Sequence, residues 1–141
     1  MFELLTAMEK SVAAIIKALG GDLLQYGVNA SIGFFDKLRF DNDVIGRERK
    51  IQEICQASML EYKKSGQQVN IMVWNMTLSN KHRFEGLVQQ FTVMMGMGGG
   101  FCVEVFTGGG DFVNHGGLGI DNWRGEGIYA TEGNCMTFLP R

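Results

Sequence analysis

Glycine constrains this chain more than any other residue type. Thirteen of its twenty glycines fall between Gly96 and Gly133, where short apolar runs alternate with glycine clusters. The runs are Phe101 to Phe106, Phe112–Val113, Gly127 to Ala130 and Cys135 to Leu139. Between Gly98-Gly99-Gly100 and Gly108-Gly109-Gly110, Phe101, Val103 and Val105 alternate with Cys102, Glu104 and Phe106. Glycine takes positive φ without a Cβ penalty, so such clusters turn a chain tightly. The pattern predicts a β-meander of antiparallel strands joined by glycine turns.

Upstream of this stretch the apolar period is that of a helix. Leu5, Met8, Val12, Ile15, Ile16 and Leu19 recur at three- and four-residue steps and Gly20-Gly21 supplies a stop, predicting an amphipathic helix over 2–19. Its charges sum to zero, whereas helices that lie on membranes are rich in Lys and Arg. Residues 22–40 read as a short helical or irregular connection that lays Phe34 and Phe35 on the core, although 29–35 has strand-like content. Asp41-Asn42-Asp43 opens the clearest helix, with Asp43 as its cap. Val44, Ile51, Ile54, Cys55, Met59 and Tyr62 form its stripe, Lys63-Lys64 sits where the helix dipole favours cations, and Gly66 ends it. The acidic cluster lacks the remaining ligand offsets of a calcium loop.

From Val69 to Asn75 the period is two, with Val69, Ile71 and Val73 on one face and Asn70, Met72 and Trp74 on the other. Apolar weight on both faces marks a central strand. Residues 76–86 are polar and read as a loop, and Leu87 to Met95 reads as a strand. The expected fold class is therefore α+β in a single domain, 1–141. Two or three N-terminal helices (1–66, mainly helical) would pack on an antiparallel meander of five or six strands (67–141).

Composition narrows the function classes. Net charge is −2 with both signs mixed along the chain, so no basic face points to nucleic acid. No apolar run is long enough to span a bilayer, and Glu3, Glu9, Lys10 and Lys17 interrupt what a secretory signal would keep apolar. The expected location is the cytoplasm, and the sequons Asn29-Ala-Ser31 and Asn75-Met-Thr77 then carry no meaning. Cys55, Cys102 and Cys135 have no metal-site spacing and are expected to be reduced, with a Cys102–Cys135 disulfide as the alternative if their strands are neighbours.

No motif names a reaction. The glycine clusters lack the Lys-Ser/Thr of a phosphate loop and the spacing of a dinucleotide fold, so no cofactor is assigned. The two histidines, His82 and His115, show no local metal or cysteine-nucleophile signature, so no metal or catalytic residue is assigned. The densest polar cluster is Asp111, Asn114, His115, Asp121, Asn122, Trp123, Arg124 and Glu126. An indole face among directional hydrogen-bonding groups suits a small polar or sugar-like ligand, and a non-catalytic binding module is the first functional expectation. One alternative is a small metal-independent hydrolase using Glu104, His115 or Glu126. Another is a self-assembling protein, with Met94, Met95 and Met97 as a homo-oligomer patch or the 2–19 helix as a membrane-active element.

Overall fold

The computed structural model describes residues 29–33, 44–95, 99–116 and 122–141. They form one helix and nine strands in two sheets: β1 (Asn29–Gly33), α1 (Val44–Lys64), β2 (Asn70–Asn75), β3 (Asn80–Phe84), β4 (Leu87–Met95), β5 (Gly99–Phe106), β6 (Gly110–Asn114), β7 (Trp123–Glu126), β8 (Tyr129–Glu132) and β9 (Cys135–Phe138). The five-stranded sheet runs β1-β4-β5-β2-β7 and the four-stranded sheet β3-β6-β9-β8. β1 lies parallel to β4; the other pairings are antiparallel.

The pleat explains the layering. On β2, Ile71 and Val73 point towards α1 and join Ile51, Ile54, Cys55 and Tyr62 of the helix in one apolar cluster with Phe91, Val93, Phe101, Val103 and Val105. Met72 and Trp74 point the other way and join Phe106, Phe112, Met136 and Phe138 in a second cluster between the sheets. The order of layers is helix, five-stranded sheet, four-stranded sheet. The sheets approach closely enough over β7 that a Cβ on Gly125 would stand 2.5 Å from Met136 Sδ and 2.9 Å from Phe138 Cζ. Only glycine fits there.

α1 follows the expected stripe from Ile51 to Tyr62, carries Lys63 and Lys64 in its last turn, and ends where Gly66 takes φ +76° and Gln67 N–H donates to Tyr62 O at 3.1 Å. β2, β4 and β5 also match expectation. The fold class does not. Among the described residues there is one helix rather than two or three, the architecture is mostly β, and the strands form two stacked sheets rather than one meander. The expected 2–19 helix and the Asp43 cap lie outside the described residues. Residues 29–33, read as part of a helical or irregular connection, are a strand bonded to β4. The expected loop 76–86 contains β3, and residues 123–126, outside every expected strand, form β7. β3 is polar because it is an edge strand with no fully buried residue. Phe84 is half-buried on the aromatic layer and the His82 ring lies against Trp74 while staying open to solvent, whereas Lys81 and Arg83 are exposed on the other side.

Asn70 ties the ends of both sheets together. Fully buried, it donates through Nδ2 to Gly108 O (3.0 Å) and Leu139 O (2.8 Å), and its Oδ1 accepts from Ile128 N–H (3.0 Å). Removing the amide leaves two carbonyls and an N–H without these part-buried partners. Asn70→Ala is expected to lower unfolding free energy by about 3 kcal/mol, read from chemical denaturation; a loss below about 1 kcal/mol would remove Asn70 from this role.

Candidate functional site

Proline-free turns and edge strands carry most of the polar residues singled out from sequence, and the structure distributes them over three surfaces. Asp111 is exposed on β6, on the outer side of the four-stranded sheet opposite Arg83. Arg124 and Glu126 lie on the α1 side of β7, 3.7 Å apart. Trp123 points to the other side of the same strand and stacks on Phe112, with centroids 5.9 Å apart and planes at 26°. Asn122 O accepts from Asn75 N–H (2.7 Å) next to Trp123, while Asn114 N–H donates to Asn134 O and His115 N–H to Ser79 O (2.8 Å each) at the end of β6. Asn114 works there as a turn former: its Oδ1 accepts from Gly116 N–H at 2.8 Å and its carbonyl from Asn134 Nδ2 at 3.1 Å. Asp121 and Met97 lie outside the described residues, and the side chains of Met94 and Met95 are likewise not described.

The most unusual chemistry sits elsewhere, between the sheets. Glu104 of β5 is 6% exposed, on the inward side with Cys102 and Phe106. From β3, His82 Nε2 lies 2.9 Å from Glu104 Oε2, off the ideal line of a hydrogen bond but within ion-pair range. From β4, Gln90 Nε2 donates to Glu104 Oε1 at 3.2 Å. The His82 ring rests on Trp74 (4.7 Å between centroids), Phe84 (5.3 Å) and Phe112 (6.0 Å). Burial raises the Glu104 carboxyl above its ordinary value of 4.5, and the His82 charge beside it opposes that rise.

The tautomer of His82 follows from its neighbours. Asn80 Nδ2 donates to Leu78 O at 2.8 Å, which turns Asn80 Oδ1 to His82 Nδ1 at 2.8 Å. An acceptor in that position makes Nδ1 a donor. The proton between Nε2 and Glu104 Oε2 is then held by one partner or the other, and the pair is either a neutral acid facing a neutral imidazole or a full ion pair. Both ring nitrogens are engaged within the protein, so His82 presents no lone pair to a substrate as a general base must.

Glu104 and Glu126, paired in the hydrolase expectation, face opposite sides of the five-stranded sheet with β2 between their strands. Sequence reasoning passed over His82 as the partner of Glu104. The available signal was the phase of Asn80, His82 and Phe84, which alternate with two exposed cations. Among the described residues no three His, Cys, Asp or Glu side chains converge to hold a metal ion, and no helix there is long and apolar enough to cross a membrane. Lys50 of α1 is buried beside Glu53 (3.1 Å), and burial pushes its ammonium below its usual range.

The chain matches no family model, no curated protein and no solved structure.

All three cysteines are free. Cys102 and Cys135 belong to different sheets, and Cys135 Sγ lies 3.9 Å from Thr137 Oγ1. Cys55 is fully buried among apolar neighbours, and burial drives its thiol far above the usual range. Burial also raises Cys102, with the Glu104 charge adding to it. Thiol titration of the folded protein is expected to label Cys135 first, Cys102 slowly and Cys55 only after denaturation. Fast labelling of Cys55 in the native state would contradict its burial.

Proposed function

We propose that this chain is a self-associating, non-catalytic domain that joins a second copy of itself through β8. One observation carries the reading. β8 is an outer strand of the four-stranded sheet with all four residues exposed. Three large exposed apolar residues, Ile128 (44%), Tyr129 (42%) and Leu139 (57%), gather at its start. Leu139 N–H donates to Ile128 O at 3.0 Å, so they form one patch rather than scattered contacts.

An open edge offers unpaired N–H and C=O groups to another strand. The other edges with described side chains are guarded by charge: β3 carries exposed Lys81 and Arg83, and β7 carries Arg124 and Glu126. β8 has only Glu132. In an antiparallel pairing of two β8 strands centred on Ala130, Ala130 meets its own copy, Tyr129 meets Thr131, and Ile128 meets Glu132. The two Glu132 side chains then stand four residues apart along the strands, roughly 13 Å, beyond the roughly 8 Å screening length at physiological salt. Nothing in that register repels. The result is one continuous eight-stranded sheet across a two-fold axis.

So short a strand pair implies a weak dimer. Light scattering from about 1 μM to about 500 μM, bracketing the affinity of a small interface, is expected to show monomer converting to dimer. Ala130→Lys places like charges opposite each other at the axis and should leave only monomer with thermal stability unchanged. A wild-type chain that stays monomeric throughout, or a dimer indifferent to Ala130→Lys, would refute the proposal.

A second reading keeps the binding-module expectation. What supports it is the half-buried Trp123 stacked on Phe112 of β6, the strand that ends at Asn114 just before His115, with Asn122 next to Trp123 in the chain. A glycan screen is expected to give a ligand whose binding quenches tryptophan emission and is lost in the His115→Ala, Asn122→Ala double variant. Binding that survives that change would rule out this end of the sandwich.

A further inference from the structure

We propose that the His82–Glu104 pair is a proton-gated latch that holds β3 against the five-stranded sheet. Among the described residues β3 is bonded along its length to β6 alone. Its hold across the layer comes from Phe84, stacked on Phe106 at 4.2 Å and 11°, from the His82 ring on Trp74 at 4.7 Å, and from His82 on Glu104. The Phe84 contact does not respond to protons. The Glu104 contact does.

With one proton shared by Nε2 and Oε2 the two groups attract in either form. Taking that proton away leaves the lone pair of the part-exposed His82 ring against the buried Glu104 carboxylate at 2.9 Å. Gln90 still donates to Oε1, but Oε2 then lacks any donor among the described residues. Outward movement of β3 lets water reach the carboxylate and relieves this. The latch therefore opens on the alkaline side.

The sign agrees with the environment of Glu104. Its carboxyl is raised in the folded protein, so the folded state binds the proton more tightly than the unfolded chain. The associated stability is complete below the ordinary value of 4.5 and is lost as pH rises through the folded value.

Among the described residues few other charges reach the pair. From β5, Cys102 faces it as a thiol raised by burial. The inward residues of β2 (Met72, Trp74), β4 (Gln90, Thr92), β6 (Phe112) and β9 (Met136, Phe138) carry no charge. Lys81 and Arg83 of β3 and Asp111 of β6 lie on the outer side of their sheet.

Hydrogen exchange of the intact chain, corrected for intrinsic rates and followed from acid to mildly alkaline pH, tests the latch. Protection of β3 amides relative to β2 should fall with rising pH by up to about tenfold per unit, the slope for one proton lost per opening. Glu104→Gln keeps the side-chain shape without the titrating proton and should flatten that slope. His82→Gln should flatten it too, and serves if the first variant does not fold. A flat wild-type profile, or variants that keep the wild-type slope, would overturn the proposal.

Discussion

Everything in this fold depends on one strand being apolar on both sides. β2 gives Ile71 and Val73 to the helix layer and Met72 and Trp74 to the aromatic layer, with β5 and β7 bonded to its two edges. A strand buried on both sides has no solvent face that tolerates a slip, because a shift of one residue would exchange the two sets. The glycines around it follow from the same crowding. Gly125 is where the second sheet comes within reach of the first.

The aromatic layer explains how a carboxylate can sit inside it. Met72, Trp74, Phe106, Phe112 and Phe138 are five buried side chains, each contributing roughly 2 kcal/mol over exposure, about 10 kcal/mol together. That outweighs the several kcal/mol needed to bury one carboxyl, which the His82 ring and the Gln90 amide reduce further. Stability here comes from the rings, and the polar pair adds sensitivity to protons rather than strength.

The parts of the fold legible in the sequence are those whose periodicity has one dominant cause. α1 shows a 3.6-residue stripe with a glycine stop, and β2, β4 and β5 show apolar alternation or continuous apolar runs. β3 and β7 were not legible, because edge strands need only half their residues apolar. Asn80 to Phe84 therefore looks like a loop until its inward phase is known. The division into two sheets was also hidden, since it rests on long-range pairings such as β2 with β7 that local pattern does not encode. For the candidate site, the cluster around Trp123 was read along the chain. The pleat sends Trp123 one way and Arg124 and Glu126 the other. Glu104 stood out as a charge in phase with Cys102 and Phe106, whereas its partner lay 22 positions earlier on a strand that had not been recognised.

The bracketing of β2 has a consequence for the order in which the chain is made. Its neighbours, β5 and β7, begin at residues 99 and 123, and the tail that completes the Asn70 contacts comes at 139. During synthesis a strand with apolar residues on both sides therefore waits, with α1 able to cover one of them, while some fifty further residues emerge. Folding of this kind is governed by late, distant contacts and is slow. The half-made chain is a natural client for chaperones that bind extended apolar segments, and the nascent chain is most exposed to misassembly between the completion of β2 and the arrival of β7.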